Sequence, residues 1–285
     1  MGSVNTIVYK EEWAIKLQQQ LDEPTKWKDF MRVEYTNSRV LHNPYLTDAT
    51  VQTGYRGTAY TMQEVVQTDE SLTISTFKIL PQFIDRADLA QSGYARQMEL
   101  AERQGILLNE AIETAIYADN ANVTDFGTEN LAGSTGSSAI TVSATNIDDI
   151  VRSVKRTIRT NNGEGLLERN GGFIVWRPAD LELLEGFMQS NGFVVADQAL
   201  KGGAYQGINF MGLTHYSSNL LASSHLLAGV KKVYHIGLVK DTYGQLMIND
   251  KDPGNISGIS VVSRVDYGIK AWANVKPCIY DINVA

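Results

Sequence analysis

Cysteine is almost missing: Cys278 is the only one in 285 residues. A single thiol closes no intrachain disulfide and builds no thiolate metal cluster, so an intracellular site of synthesis is expected. No run of about 18 apolar residues occurs, which leaves no candidate membrane-spanning helix. The opening MGSVNTIVYKEEW has no basic stretch followed by an apolar core, so it does not read as a secretory signal. Positive charge is scarce as well, with 25 Lys and Arg against 32 Asp and Glu and a net charge of −7. That balance argues against a sequence-specific reader of nucleic acid, which needs a basic face, but allows a protein that merely surrounds nucleic acid.

Catalytic signatures are missing too. His42, His215, His225 and His235 are scattered, without an HExxH pair, and neither a GxSxG elbow nor a GxxxxGK[ST] phosphate loop is present. GNISG at 254–258 is a loop pattern of low specificity, and Asp148 with Asp149, or Glu182 with Glu185, have the spacing of solvated helix faces. No catalytic, cofactor-binding or metal residue is therefore assigned. Were the chain an α/β enzyme, Arg177, Asp180, His215 and Tyr216 would be the members to test.

What remains is a globular composition, 43% hydrophobic and 20% charged, long enough for one large or two ordinary domains. Its organising stretch is 92–119, SGYARQMELAERQGILLNEAIETAIYAD. Tyr94, Met98, Ala101, Gly105, Leu108, Ile112 and Ala115 recur at steps of three and four, while Glu99, Glu102, Arg103, Glu110 and Glu113 lie largely off that stripe. The spacing predicts a long amphipathic helix capped by Ser92, with Gly105 admitting a close backbone approach. A helix of that length requires a long partner.

The flanks supply candidates. Residues 7–21 read as a short amphipathic helix with Trp13, Leu17 and Leu21 in line, stopped by Asp22-Glu23-Pro24. With Trp27, Phe30 and Tyr35 it forms an arm too small to bury its own aromatics. Residues 45–80 are rich in Thr, Val, Ile and Tyr and predict two antiparallel strands turning near 68–71, a ribbon too poor in apolar side chains to stand alone in water. Residues 120–146 read as an exposed loop or short hairpin, 147–159 as a capped helix, and 172–189 as a buried strand followed by a helix that Pro178 opens. From Ile259 the chain alternates in steps of two: Ile259, Val261, Val265, Tyr267, Ile269, Ala271 and Val275 share one face, and Arg264, Asp266, Lys270, Asn274 and Lys276 the other. Gly268 interrupts this pattern. After Pro277 the parity flips, predicting a bulge or break within a strand system of about 60 Å at about 3.3 Å per residue.

The order of these parts resembles the major capsid proteins of tailed bacteriophages, the Hong Kong 97-type shell fold. The likeness is carried by residues 70–117, ESLTISTFKILPQFIDRADLAQSGYARQMELAERQGILLNEAIETAIY; by 171–187, GGFIVWRPADLELLEGF; and by 259–282, ISVVSRVDYGIKAWANVKPCIYDI. It implies an α+β protein with an N-terminal arm at 1–44, an extended β-hairpin E-loop at 45–80, and a peripheral domain with the spine helix at 81–144 and 251–285. An axial α/β domain would span 145–250. It further implies self-association into hexamers and pentamers that close an icosahedral shell around double-stranded DNA without reading its sequence. Assembly would take place in the host cytoplasm, with a separate scaffolding protein and portal, and any decoration protein would be a separate chain. Trp13 and Trp27 on the arm and Tyr55, Arg56, Tyr60 and Met62 on the ribbon are the expected inter-subunit contacts. No lysine lies between Leu41 and Phe77, so the shell is expected to be non-covalent. The same fold in an encapsulin-type nanocompartment, holding protein cargo, is the alternative.

Overall fold

The computed structural model describes residues 25–87, 96–131, 138–190, 208–243, 246–249 and 258–285. The expected helix at 7–21, Trp13, the Ser92 cap and the Gly/Pro boundary at 250–254 lie outside these residues. In chain order the opening elements are α1 (Trp27–Phe30), β1 (Arg32–Thr36), β2 (Val40–Leu46), β3 (Gln67–Thr73), β4 (Thr76–Asp85) and α2 (Arg96–Tyr117). Then come β5 (Thr124–Phe126), α3 (Ile147–Thr160), α4 (Glu164–Asn170), β6 (Gly172–Trp176), α5 (Pro178–Ser190), β7 (Ile208–Phe210) and β8 (Leu213–Ser217). β9 (His225–Val230), β10 (Tyr234–Val239), β11 (Leu246–Asn249), β12 (Gly258–Ala271) and β13 (Ile279–Asn283) complete the chain.

The first sheet is built on β12. One of its edges carries β4 in antiparallel register from Gly258↔Asp85 to Tyr267↔Thr76; the other carries β11 near its start and β10 near its end, with β1 parallel beyond β10. The alternation read from the sequence explains the faces: Ile259, Val261, Val265 and Tyr267 are buried, and α2 packs across this sheet. Gln104 anchors the helix there. Its amide nitrogen donates to Val261 O at 3.3 Å and Gln82 Oε1 at 2.8 Å, and its oxygen accepts from Ser263 Oγ at 2.6 Å. A polar side chain so fully bonded can be buried at little net cost.

That contact corrects the sequence reading of the helix. The inward stripe runs through Gln104, Leu108, Ile112, Glu113, Ile116 and Tyr117, rotated from the expected one, while Gly105 is exposed and a methyl added to it would meet nothing within 4 Å. Glu113, expected on the outer face, is fully buried; its carboxylate accepts Lys26 N–H at 2.9 Å and the Tyr117 hydroxyl.

The second sheet has the order β5-β13-β9-β6-β8-β7 and mixes parallel and antiparallel pairs. β6, GFIVW, is buried at every position because β8 and β9 flank it while α5 packs against it. Phe173 of β6 stacks on Phe30 of α1 with ring centroids 4.4 Å apart. The polar stretch after the long helix yields β5, which joins β13 in parallel instead of folding back as a hairpin.

The C-terminal strand system also differs from its expected form. β12 passes uninterrupted through Gly268 and ends at Ala271, well short of 60 Å; the chain turns from Trp272 to Cys278 and re-enters as β13 of the other sheet. Pro277 lies in the 3-10 turn Lys276–Cys278. The parity flip therefore marks a change of sheet, and proline is tolerated because no ladder bond is required of it there.

Candidate interaction surface

The expected ribbon exists, with other boundaries. β2 pairs with β3 antiparallel from Val40↔Thr73 to Leu46↔Gln67, and the two form a sheet of their own. The turn placed near 68–71 from sequence is the middle of β3. The reversal is at Tyr55–Thr58, where Thr58 N–H donates to Tyr55 O and Gly57 has φ of 85°, a conformation that glycine adopts without steric cost. The two strands of the hairpin are thus residues 40–46 and 67–73, and β4 already belongs to the body.

Beyond Thr47 N–H to Val66 O the ladder is replaced by side chains. The Gln52 amide bridges the backbone of Thr61, accepting its N–H at 3.2 Å and donating to its carbonyl at 2.8 Å. Gln63 does the same to Thr50 at 2.8 and 3.0 Å. A glutamine amide carries the same donor and acceptor as a peptide group, so each acts as a ladder rung set one side chain wide. Around these rungs large apolar side chains stand in solvent: Tyr55 is 75% exposed, Tyr60 77% and Met62 82%, with Val51 and Val65 beside them. Such a cluster on an extended ribbon is the mark of an association surface.

The ribbon's root is held to the body on one side. Leu72 and Ile74 bury against Trp272 in a small core separate from the main one, with Leu41 packed on it. Lys270 Nζ donates to Ser71 O at 2.7 Å, and the Glu70 carboxylate accepts Ala273 N–H at 3.1 and 3.2 Å. Just beyond the root, β4 presents Phe77, Ile79 and Phe83 on its open face, the Arg264 guanidinium lying 4.5 Å above the Phe77 ring.

Among the contacts expected from sequence, Tyr55, Arg56, Tyr60 and Met62 all lie exposed on the ribbon. Trp27 does not belong with them: it is fully buried in the main core of its own chain, where α1 plugs the gap beside α2, and it offers no surface to a neighbour. Phe77, Ile79 and Phe83 escaped notice although their period-two spacing was a usable signal. The root residues Leu41, Leu72 and Trp272 carried no signal, since their meeting joins positions about 200 apart.

The four residues set aside for an enzyme are each committed elsewhere. Arg177 forks onto Asp180 at 2.5 and 3.0 Å in the first turn of α5 and also bonds Ser223 O. Tyr216 lies under the Lys231 ammonium at 5.5 Å, and burial pushes its hydroxyl up to about 12. His215 is fully buried; Nδ1 accepts the Trp176 indole N–H at 2.8 Å, so Nε2 carries the proton toward Phe210 O at 3.2 Å.

Burial brings His215 down to about 4 from an ordinary 6.5. The unfolded chain therefore takes up a proton as pH falls below 6.5 while the folded chain does not, so this contribution is present above 6.5 and is lost progressively toward 4. A shift of that size corresponds to about 3 kcal/mol. Urea unfolding at pH 7 and pH 4.5 should show this loss, and His215→Gln should flatten the dependence; an equal slope in both proteins would refute the assignment.

No family profile matches the chain, and no curated protein matches it. Solved structures do. A structure of Mycobacterium phage Che8 is 17% identical over 98% of both chains, with a TM-score of 0.69. A capsid of Ralstonia phage GP4 is 11% identical over 99% of this chain and 97% of that one, also at 0.69. The capsid of an empty GTA particle is 11% identical over 97% and 95%, at 0.61. The fold is thus that of phage capsid structures, as the resemblance implied.

Proposed function

We propose that this chain is the major capsid subunit of a tailed phage, associating through its ribbon into hexamers and pentamers that close a non-covalent shell around double-stranded DNA. The observation that carries the reading is the full-length likeness to capsid chains, 97% or more of this chain in each case. The ribbon supports it physically. Near its tip Val51, Tyr55, Tyr60, Met62 and Val65 are largely exposed in the single chain, which is costly for a monomer and useful for a subunit.

In this reading β2, β3 and the residues between them act as the E-loop, the sheet built on β12 with α2 as the peripheral domain, and the sheet built on β6 with α3 and α5 as the axial domain. Of the arm expected at 1–44, residues 1–24 serve as the arm with Trp13 as its aromatic anchor, since α1 and β1 are built into the body and β2 into the ribbon. Tyr55, Arg56, Tyr60 and Met62 lie on an adjacent copy, whose open Phe77, Ile79 and Phe83 face has matching chemistry. Each contact is weak, and closure of a symmetric shell sums many of them. Scaffold and portal are separate chains, assembly takes place in the host cytoplasm, and the virion capsid is the final location. A net charge of −7 suits a container that must release its genome, because strong phosphate binding would oppose release.

The test is electron microscopy of the purified protein, with absorbance at 260 and 280 nm on any particles. Closed shells with nucleic acid support the reading, and shells filled with protein transfer it to a nanocompartment. A variant in which residues 49–64 are replaced by a two-residue Asn-Gly turn should melt like the parent and form no shells. Normal shells from that variant would remove the ribbon from its assigned role.

A further inference from the structure

The ribbon leaves the body at a place where the sheet beneath it has no side chains. Gly237 of β10 and Gly268 of β12 are direct cross-strand partners, so the two strands share a bare patch two residues wide. Leu41, Leu72 and Ile74 come down onto it from the ribbon: a methyl group at Gly237 would stand 3.0 Å from Leu41 Cδ1 and from Leu72 Cδ2, and 3.4 Å from Ile74 Cδ1. At Gly268 the encounter is with backbone. A methyl there would overlap the Thr73 carbonyl oxygen and lie 3.1 Å from Leu72 Cδ2. Neither glycine has a positive φ among the described backbone angles, so what these positions require is space and not a special backbone conformation.

Resting on the function proposed above, we infer that the Gly237–Gly268 pair is the seat that sets the angle at which the ribbon leaves the body, and through that angle the curvature of the shell. The argument is one of what can yield. At Gly268, β12 is laddered to β10 and lies one residue past its last pair with β4, Tyr267↔Thr76, while α2 packs against the strand, so β12 yields less to an added methyl than the ribbon root does. The root is joined to β4 through Ile74 and Ser75, and a cavity of about 260 Å³ is lined by Thr73, Ser75 and Thr76 of the root together with Gly268 and Ile269 of β12, which leaves the root room to shift. The Glu70 and Lys270 latches on Ala273 N–H and Ser71 O hold the root from one side and act as a pivot. The ribbon extends some 15 residues beyond the root, roughly 50 Å, so a root shift of about 1 Å over a lever of about 10 Å moves the tip by about 5 Å.

The two positions differ in a way that gives the inference its own internal control. Leucine and isoleucine ends at Gly237 can give by a few tenths of an ångström, whereas the Thr73 carbonyl at Gly268 must move with the backbone. The order of effect is therefore Gly268→Ala above Gly237→Ala, with Gly165→Ala, whose added methyl meets nothing within 4 Å, as the neutral reference.

The experiment measures the ribbon in the unassembled subunit and the shell in the assembled one. Cysteines introduced as Thr58→Cys at the tip and Glu168→Cys on exposed α4 take spin labels; native Cys278 is buried, and burial raises its thiol above the ordinary value, so it stays unreactive. Gly268→Ala should move the tip-to-body distance by about 5 Å, Gly237→Ala by less in the same direction, and Gly165→Ala not at all. Shells of Gly268→Ala should be altered in diameter or fail to close. An unchanged distance in a folded Gly268→Ala subunit, or a shifted distance with shells of parental diameter, overturns the inference. Should Gly268→Ala not fold, Gly237→Ala decides, and an unchanged distance there overturns it equally. A parent protein that forms no shells under any condition counts against the proposed function alone, since the tip-to-body distance tests the seat without assembly.

Discussion

Glu113→Ala should lower the stability of the subunit by about 3 to 5 kcal/mol, a large share of the 5 to 15 kcal/mol that holds an ordinary domain together. Glu113 is fully buried on α2, where its two carboxylate oxygens take up the Lys26 N–H, at 2.9 Å, and the Tyr117 hydroxyl. It thereby ties the entry of α1 to the helix, one residue ahead of Trp27, which is the largest fully buried side chain at that end of the core. Alanine would remove the carboxylate that accepts the part-buried Lys26 N–H and the buried Tyr117 hydroxyl and leave a gap beneath them, and losing such an acceptor costs about 1 to 3 kcal/mol per bond. Glu113→Gln keeps one acceptor oxygen and most of the volume, so its loss should be about half as large. Urea unfolding followed by tryptophan fluorescence reads both. If the alanine variant lost less than the glutamine variant, the carboxylate would not be the tie described here.

Gly229→Ala should cost about 3 kcal/mol or more, for a different reason. Gly229 lies in β9 against β13, in register with Ile279, and an added methyl would stand 2.6 Å from Cys278 O and 3.0 Å from Ile279 Cα. Both obstacles are backbone, inside a sheet whose strands are buried on each side, so relief requires parting β9 from β13 and weakening their ladder. Overpacking a well-filled core ordinarily costs about 1 to 3 kcal/mol, and here no side chain can turn aside to reduce it. Gly165→Ala in exposed α4 should be neutral or mildly stabilising, since helix interiors favour alanine. Equal melting temperatures for the two variants would refute the close β9–β13 contact at Gly229.

Much of the architecture was legible because it rests on local periodicity. The 3.6-residue pattern of Leu108, Ile112 and Ile116 located α2, and the two-residue pattern of Ile259, Val261, Val265 and Tyr267 located β12. Pro178 marked the start of α5 because its fixed φ suits a first helical position. Errors arose where a single residue was judged by type. Gly105 on the apolar stripe points to a close approach, but the residue that reaches β12 is Gln104, whose amide has three well-placed partners. An arm without a surface of its own points Trp27 toward a neighbour; the surface it uses is the chain's own core.

The ribbon shows the same division. Its existence, exposure and lack of lysine could be read from composition, because few large apolar residues occur on either strand. Its tip could not, since the hydrogen bonds that define it come from Gln52 and Gln63 side chains acting as rungs, and no propensity records that. The sequence by itself determined the order of elements, the long helix with its strand partner, and the likeness to a shell subunit, all of which depend on neighbours within a few residues. Only the tertiary structure decided which residues hold the ribbon, because Leu72, Gly237, Gly268 and Trp272 meet through two sheet registers and a chain reversal. Contacts between positions so far apart leave no periodic trace along the chain.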